Sequence, residues 1–186
     1  MRIEETELAG LIVLTPRRFG DDRGWFAETW NAATLREAGI ELDFVQDNHS
    51  FSARKGTLRG LHYQSPPRAQ GKLVRCTRGA VFDVAIDVRV GSPTFGRHAS
   101  VELTPETGAQ LLVPGGFLHG FVTLTDDTEV QYKCTDFYSA ECDGAVHWDS
   151  AGIDWPGTDD PVVSAKDAGA PAFADWTSPF RMEDFA

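Results

Sequence analysis

The sequence predicts an all-β protein, folded as a double-sheet jelly roll or a small barrel. Short runs of β-forming residues follow one another, separated at roughly 8–12-residue spacing by turns rich in Gly, Pro, Asp and Asn, which is typical of such folds. Hydrophobic residues make up 41% and aromatic residues 11% of the 186 residues, enough for a core. We therefore expect one domain over residues 1–186.

The predicted strands lie in eight segments of the chain. They are GLIVLTP, DFVQDNHSFS, GTLRGLHYQ, GKLVRCTRG, AVFDVAIDVR, RHASVELTP, AQLLVPGGFLHGFVTLT and TEVQYKCTDFYS. In the fifth segment the side chains alternate in character, and the more apolar set is predicted to face the core. That set consists of Phe82, Val84, Ile86 and Val88.

The remaining segments predict short helices and a wrapping tail. AATLREAGI has a helical pattern closed by Gly39 in the usual C-terminal position. From Gly152 onward the many prolines and glycines predict loops and short turns that wrap over the body. Cupins are one kind of double-sheet jelly roll, and such folds enclose a cavity lined by alternate residues of several strands. Inward-pointing polar side chains would meet there, so the cavity is the expected ligand site.

The net charge limits which partners the protein can bind, and the cysteine pattern bears on the cellular compartment in which it works. A formal net charge of -11 argues against nucleic-acid binding, although a few cations can still converge on an anion. Arg23, Arg59, Lys72 and Arg75 are the candidates for such a pocket. The three cysteines show no C-x-x-C spacing, and we see no signal peptide or membrane-spanning run. A soluble cytoplasmic protein is expected.

No metal site is predicted from the histidines. None of the five histidines forms an H-x-H pair, and the residue two positions after His62 is Gln64. Transition metals favour several imidazole or thiolate ligands, which this pattern does not provide. If the protein acts on a substrate, we expect it to do so with side chains alone.

The segment TLRGLHYQ places polar residues among apolar ones at the end of a predicted strand. In a regular strand Leu58, Gly60, His62 and Gln64 share one face, while Arg59, Leu61 and Tyr63 share the other. A single strand histidine is ordinarily a hydrogen-bonded structural residue. Only its combination with other groups points to chemistry.

Eight fragments in register give the chain a resemblance to a known family. They are FGDDRGWFAETW, FVQDNHSFS, LRGLHYQ, QGKLVRCTRGAVFDVAIDVRVGSPTFG, VPGGFLHGFVTL, YKCTDFYS, GIDWP and SAKD. From about Leu11 to about Pro171 the chain resembles the dTDP-4-dehydrorhamnose 3,5-epimerases of the route to dTDP-L-rhamnose. The resemblance implies a cupin-type homodimer without metal or cofactor that acts on a dTDP-sugar and inverts two carbons of a 4-keto sugar.

The resemblance also implies roles for individual residues. His62 matches the base, Tyr132 the acid, Asp167 the carboxylate that partners the histidine, and Lys72 a cation near the keto oxygen. A histidine and a tyrosine are suited to this reaction, because inversion of a carbon needs a base on one face of the sugar ring and a proton donor on the other. A lysine ammonium would stabilise the enolate oxygen and would lower the pKa of the tyrosine if it were close.

The substrate contacts are expected from a larger set of residues. A diphosphate favours Arg23 and Arg59, a thymine ring favours Tyr138 or Phe26, and sugar or base oxygens favour Gln46 and Asn48. Further positions that match contacts in the family are Glu28, His119, Lys166 and Asp143. Taken alone, Arg23 and Glu28 are by base rate more often a surface ion pair than ligand contacts.

Two questions stay open at this point. Arg59 and His62 lie on opposite faces of a regular strand, so either a bulge at Gly60 or a contact across a dimer must reconcile them. The family has a glutamate after the YS pair, where either Asp143 or Glu141 takes its place in YSAECDGAV.

Three functions remain in competition. The first is the double epimerase. The second is a mono-epimerase that inverts only C3 or only C5 of a related deoxysugar. The third is a non-catalytic cupin that binds a sugar nucleotide, which the joint presence of His62, Tyr132 and Asp167 argues against, since a binding protein needs no proton donor and acceptor.

Overall fold

The structure is a computed structural model that describes residues 1–185 and consists mainly of antiparallel β-sheet, which confirms the predicted all-β jelly roll. The strands are β1 (Arg2–Glu5), β2 (Ile12–Thr15), β3 (Arg18–Asp21), β4 (Gly24–Ala27), β5 (Gln46–Ser52), β6 (Leu58–Gln64), β7 (Lys72–Arg78), β8 (Val81–Asp87), β9 (His98–Leu103), β10 (Gln110–Val113), β11 (Phe117–Thr123), β12 (Thr128–Cys134) and β13 (Asp143–Ala145). The helices are α1 (Ala32–Glu37) and α2 (Ala165–Ala168), with two 3₁₀ turns at Phe173–Asp175 and Met182–Phe185.

Two large sheets and one hairpin contain all of these strands. The six-stranded sheet has the order β1-β2-β10-β7-β12-β5, and the five-stranded sheet has the order β13-β6-β11-β8-β9. The hairpin β3–β4 stands apart from both sheets. No helix in the described part of the chain has the length and apolar character needed to cross a bilayer.

Every predicted strand segment contains a strand, and the seventh contains two, β10 and β11. The sequence did not predict β1, β3, β4, β13 or α2, all of which have only three or four residues. Helix α1 matches its prediction. Its first turn is capped by Asn31, whose side chain accepts hydrogen bonds from the backbone N–H groups of Ala33 and Thr34, and Gly39 follows its end with a φ of 79°.

The five-stranded sheet is buried on both faces, which the alternation in β8 did not predict. Val81 and Ala85 pack between the two sheets against residues such as Phe121. The set that we expected to face the core, for example Val84 and Ile86, lies on the outer face and is covered by the C-terminal tail. Both sets are therefore in a core, because the tail supplies a second apolar layer.

The tail after Gly152 wraps over the outer face of the five-stranded sheet, as predicted. Trp155 and Phe180 are 6% and 1% exposed there. Backbone hydrogen bonds fix the end of the tail, since Val90 N–H donates to the Phe180 carbonyl and Met182 N–H donates to the Val90 carbonyl. Within the tail, residues 162–168, which include α2, lie against β6.

Strand β6 contains the bulge at Gly60 that was one of the two alternatives. His119 of β11 lies opposite His62, whereas Phe121 lies opposite Arg59, so β6 has one residue more than β11 across this stretch. Gly60 has a φ of 132°, and a Cβ at this position would lie 2.6 Å from the Cα of Gly120. Only glycine fits such a backbone so close to the next strand.

The bulge corrects the predicted faces of TLRGLHYQ. Arg59 and His62 point to the same cavity. Leu58 and Leu61 instead share the core cluster under the tail. The regular alternation was wrong because one additional residue reverses the side on which every later side chain lies.

Replacement of Gly60 by alanine is expected to lower the free energy of unfolding by about 1–3 kcal/mol or more, because the new methyl group meets backbone atoms that cannot move independently. Urea unfolding measures the effect. Gly152→Ala is the matched control, since Gly152 also has a positive φ, of 71°, but no atom lies within 4 Å of the added Cβ. Equal losses in the two variants would show that contact with Gly120 is not what requires glycine.

Candidate active site

Two cavities of about 420 and 440 Å³ open between the sheets and share four lining residues. The shared residues are His62, Lys72, Tyr132 and Lys166. We call the first cavity, which also contains Arg59, His119 and Asp167, the arginine lobe. We call the second, which also contains Gln46, Asn48, Tyr138 and Asp143, the tyrosine lobe. All four predicted catalytic residues thus line one continuous site.

His62 is hydrogen-bonded to a buried carboxylate. Its Nε2 lies 2.6 Å from Oδ1 of Asp167, and Asp167 is only 3% exposed. The backbone N–H of Gly60 donates to Oδ2 of the same carboxylate at 3.4 Å. An acid in this position holds the imidazole in one orientation and stabilises its protonated form.

The tail places Asp167 beside β6 through backbone pairing. Thr57 and Val162 form a parallel bridge, and Leu58 N–H donates to the Val162 carbonyl at 2.9 Å. Ser164 then caps α2, because its Oγ accepts a hydrogen bond from the Asp167 N–H at 3.1 Å. The predicted pair of His62 and Asp167 therefore depends on how residues 162–167 dock.

Asp167 remains ionised despite its burial. Burial by itself would raise the pKa of this carboxyl, but the hydrogen bond and charge of His62, with smaller contributions from Gly60 and Ser164, lower the pKa below its ordinary value. A carboxylate that stays charged can support a positive charge on His62.

Tyr132 reaches the site from the opposite sheet, on β12. Burial raises the pKa of its phenol, the nearby Cys134 and Asp143 add to the rise, and Arg59 only partly opposes it. Lys72 is not among the groups that shift this pKa, so the condition that it lie close enough to lower the pKa is not met. A raised pKa keeps the phenol protonated, which suits a proton donor.

Lys72, on β7, supplies a partly buried ammonium. Burial lowers its pKa, and the charges of Cys134, Asp143 and Asp83 oppose this only in part. Within residues 1–185 its Nζ makes neither an ion pair nor a hydrogen bond with another side chain. The ammonium is thus available to an anionic group in the cavity.

Arg59 is held between the two sheets by neutral partners. Its Nη2 donates to the Phe51 carbonyl at 3.0 Å and its Nε donates to Ser52 Oγ at 3.3 Å. Since no carboxylate of the described chain pairs with it, the guanidinium keeps donors for a bound anion. Arg59 and Lys72 make the arginine lobe locally positive in a protein of net charge -11.

His119 forms a second histidine–carboxylate pair, which the sequence did not predict. Its Nε2 lies 2.8 Å from Oδ1 of Asp83, and the two side chains are 9% and 0% exposed. The other oxygen of Asp83 is buried without a hydrogen-bond partner among the described residues. The alternation in β8 gave a signal for it, because it put Asp83 opposite the apolar set inside a buried strand.

The tyrosine lobe is closed by an ion pair. Lys166 Nζ donates to Asp143 Oδ2, and the Tyr138 hydroxyl donates to the same oxygen at 3.4 Å. Of the two open alternatives, Asp143 lies in the lobe and Glu141 is exposed outside it. Gln46 and Asn48 also line this lobe and are hydrogen-bonded to each other at 3.1 Å.

Three predicted contact residues lie outside both lobes. Arg23, Phe26 and Glu28 are on or just after the β3–β4 hairpin, and all three are exposed. The side chain of Arg23 pairs with Asp21 at 2.5 Å rather than with Glu28. Arg75 is also outside the site and bonds Gln131.

Nothing in residues 1–185 brings together three or more His, Cys, Asp or Glu side chains in a group that could hold a metal ion. Gln64, which the sequence did not predict as a site residue, is 5% exposed and bonds the loop that carries Tyr138. Its position two residues after His62 departs from metal-ligand spacing and offers no other local signal.

Comparison with known proteins gives a consistent result. The family model for dTDP-4-dehydrorhamnose 3,5-epimerase matches residues 5–175. A protein of that name from Sinorhizobium fredii is 50% identical over 183 residues, covering 97% of this chain and 94% of that protein.

Solved structures show the same similarity. A dTDP-6-deoxy-D-glucose-3,5-epimerase from Legionella pneumophila, in complex with dTDP-4-keto-L-rhamnose, superposes with a TM-score of 0.88 at 45% identity and 92% coverage of each chain. A 3′-monoepimerase from Streptomyces bikiniensis, crystallised with dTDP as a double mutant of a histidine and a tyrosine, has a TM-score of 0.86 at 33% identity, covering 91% of this chain and 86% of that one.

Replacement of Lys72 by methionine is expected to raise the free energy of unfolding at pH 7 by about 0.5–2 kcal/mol. The lowered pKa means that the protonated amine destabilises the folded state, an effect that fades as the pH rises toward the unfolded pKa of about 10.4. Urea unfolding at pH 7 and pH 10 should show a gain that shrinks with pH. Lys133→Met, at a lysine paired with Asp47 at 2.9 Å, is the control and should give no gain. A loss of stability in Lys72→Met would contradict this account.

Proposed function

The chain belongs to the dTDP-4-dehydrorhamnose 3,5-epimerase family and is an isomerase that epimerises C3 and C5 of dTDP-4-keto-6-deoxyglucose, and we propose that His62 and Tyr132 are the base and the acid of this reaction. The observation that carries the proposal is that the two rings line one cavity from opposite sheets, His62 from β6 and Tyr132 from β12. In the Streptomyces bikiniensis monoepimerase, the mutated histidine and tyrosine are separated along the chain by as many residues as His62 and Tyr132 are here.

The chemistry follows from the position of the ketone. Both carbons lie next to the C4 carbonyl, so loss of either C–H proton gives an enolate with its negative charge on the C4 oxygen. His62 removes the proton from one face, and Tyr132 returns a proton to the other face, which inverts the carbon. Before the same two groups act on the second carbon, His62 releases the proton that it took to solvent and Tyr132 takes up a proton from solvent.

Two other side chains stabilise the charges that develop. Asp167 stabilises the imidazolium that forms on His62, because it is ionised and lies 2.6 Å away. Lys72 faces the enolate oxygen with an ammonium that no carboxylate of the described chain neutralises. Its lowered pKa reflects burial, and a partly desolvated ammonium interacts more strongly with an anion.

The nucleotide base lies in the tyrosine lobe, whereas the sugar and the diphosphate also contact residues of the arginine lobe. Arg59 and Lys166 provide cations for the diphosphate, and the exposed ring of Tyr138 offers a face on which thymine stacks. His119 contacts the sugar, and its orientation is held by Asp83. Gln46, Asn48 and Asp143 also line the tyrosine lobe, as do Gln64 and Gln70.

We also propose that the protein is a cytoplasmic homodimer of one cupin-type domain per chain. All three cysteines, which lie within the described residues, are unpaired, as suits a reducing compartment. The hairpin β3–β4 exposes Phe19, Trp25 and Phe26 at 54%, 61% and 68%, a large apolar surface for a monomer. In the dimer this hairpin carries Arg23, Phe26 and Glu28 to the partner's site.

Incubation with dTDP-4-keto-6-deoxyglucose in D₂O should introduce deuterium at both C3 and C5, as measured by NMR. His62→Ala should lower the rate by roughly 10²–10⁴-fold, the usual contribution of acid–base catalysis. Deuterium at one carbon only would identify a mono-epimerase. Nucleotide binding without exchange at either carbon would identify a non-catalytic binding protein, and a fully active His62→Ala would contradict the assignment of the base.

Mixing two inactive variants tests whether the hairpin acts on the partner. Arg23→Ala removes a hairpin cation and His62→Ala removes the base, so each homodimer should have low activity. If the hairpin acts across the dimer, a mixed dimer contains one site with both residues, and the mixture should exceed the summed activity of its parents. A mixture that equals that sum after subunit exchange, verified by mass spectrometry, would place the hairpin in its own chain's site.

A further inference from the structure

The loop that carries Tyr138 is held by side chains and not by a neighbouring strand. Residues 136–138 lie between β12 and β13 and make no backbone–backbone hydrogen bond with the rest of the described chain. Their peptide groups are bonded instead by three glutamines, which we call the glutamine clamp: Gln46 of β5, Gln64 of β6 and Gln70 of the β6–β7 loop.

Gln64 makes the central contacts of the clamp. Its Nε2 donates to the Phe137 carbonyl at 3.0 Å and also to the Arg68 carbonyl. Its Oε1 accepts from the Ser139 N–H at 2.8 Å. The amide thus bonds the residue before Tyr138 and the residue after it, from a side chain that is 5% exposed.

The other two glutamines hold the same backbone on either side. Gln46 Oε1 accepts from the Tyr138 N–H at 2.9 Å, and Gln70 Nε2 donates to the Asp136 carbonyl at 2.7 Å. Four successive residues, 136–139, therefore each have a peptide group bonded by a glutamine amide. Tyr138 is 61% exposed, and its hydroxyl donates to Asp143 Oδ2 at 3.4 Å.

We propose that Gln64 is a positioning residue that fixes the Tyr138 ring in the orientation in which it stacks on the nucleotide base. This inference rests on the proposed nucleotide contact of Tyr138. An exposed ring on a loop without strand pairing loses orientational freedom when a base stacks on it, and that loss weakens binding. The clamp removes the freedom of the backbone in advance, so that binding restricts only the side chain.

The chemistry of an amide is needed at this position. Phe137 and Arg68 offer carbonyl acceptors and Ser139 offers an N–H donor, so the side chain must donate and accept at once. A carboxylate accepts but cannot donate, and a thioether of similar length does neither well. A protonated carboxylic acid can do both, so Gln64→Glu can replace the amide only while its carboxyl is protonated.

The first measurement is the affinity for dTDP by calorimetry, together with KM and kcat. Gln64→Met is expected to weaken dTDP about tenfold and to raise KM similarly, with kcat at saturation nearly unchanged, because the hydrogen bonds of the Gln64 amide within the described chain go to loop backbone groups and none goes to His62 or Tyr132. Gln131→Met, at a glutamine that bonds Arg75 outside both lobes, is the matched control and should bind dTDP as the wild type does. Unaltered dTDP affinity in folded Gln64→Met would overturn the inference.

A double-mutant cycle separates positioning from general damage. Tyr138→Ala should weaken dTDP about 10- to 100-fold, the usual effect of losing a stacking ring. If Gln64 acts through Tyr138, adding Gln64→Met to Tyr138→Ala should weaken binding no further. Additive effects would overturn the inference alone. Unchanged affinity in Tyr138→Ala would overturn the proposed nucleotide contact, and the inference with it.

Gln64→Glu gives a reversible test that also serves if Gln64→Met fails to fold. Below its pKa the introduced acid is neutral and can donate to Phe137 while accepting from Ser139, and an NMR titration of its carboxyl carbon gives one pH on each side of that pKa. Relative to the wild type at each pH, dTDP affinity should be nearly normal below that pKa and weakened above it. The same deficit at both pH values, or none at either, would overturn the inference.

Discussion

The hydrogen bond between His62 and Asp167 is the interaction on which the site depends, because it joins a strand of the sheet to the tail that covers that sheet. Asp167 is nearly fully buried and still ionised, which requires the histidine and the Gly60 N–H as partners. The partners meet only when residues 162–167 dock on β6, and that docking is continuous with the packing of Trp155 and Phe180. The tail therefore stabilises the fold and completes the proposed base at the same time.

The second constraint is the bulge at Gly60. Without it Arg59 would lie on the outer face, among the leucines under the tail, where an arginine has no partner and no access to a ligand. With it, the strand presents an arginine and a histidine to the same cavity while Leu58 and Leu61 stay in the core. One glycine thus lets a seven-residue strand serve both the packing and the chemistry.

Two of the cations in the cavity have no carboxylate partner in the described chain, so their charges are available to a bound anion. Arg59 is held by a carbonyl and a hydroxyl, and Lys72 has no carboxylate partner, whereas Lys166 is paired with Asp143. This distribution explains how an acidic protein retains a locally positive cavity. It also leaves Lys72 in a position where burial of its ammonium lowers stability, which the proposed role of that ammonium in the reaction would explain.

The sequence by itself determined the strand segments, helix α1 and the wrapping tail, because alternation, turn residues and caps are local properties of the chain, whereas most of the polar residues of the cavity came from the family resemblance. The family resemblance supplied the pairing of His62 with Asp167, which are more than a hundred residues apart. Only the tertiary structure decided that both faces of β8 are buried, that Asp83 partners His119, that Asp143 and not Glu141 lies in the lobe, and that Gln64 holds the loop of Tyr138. Each of these depends on which strands and loops become neighbours, and local periodicity carries no information about that.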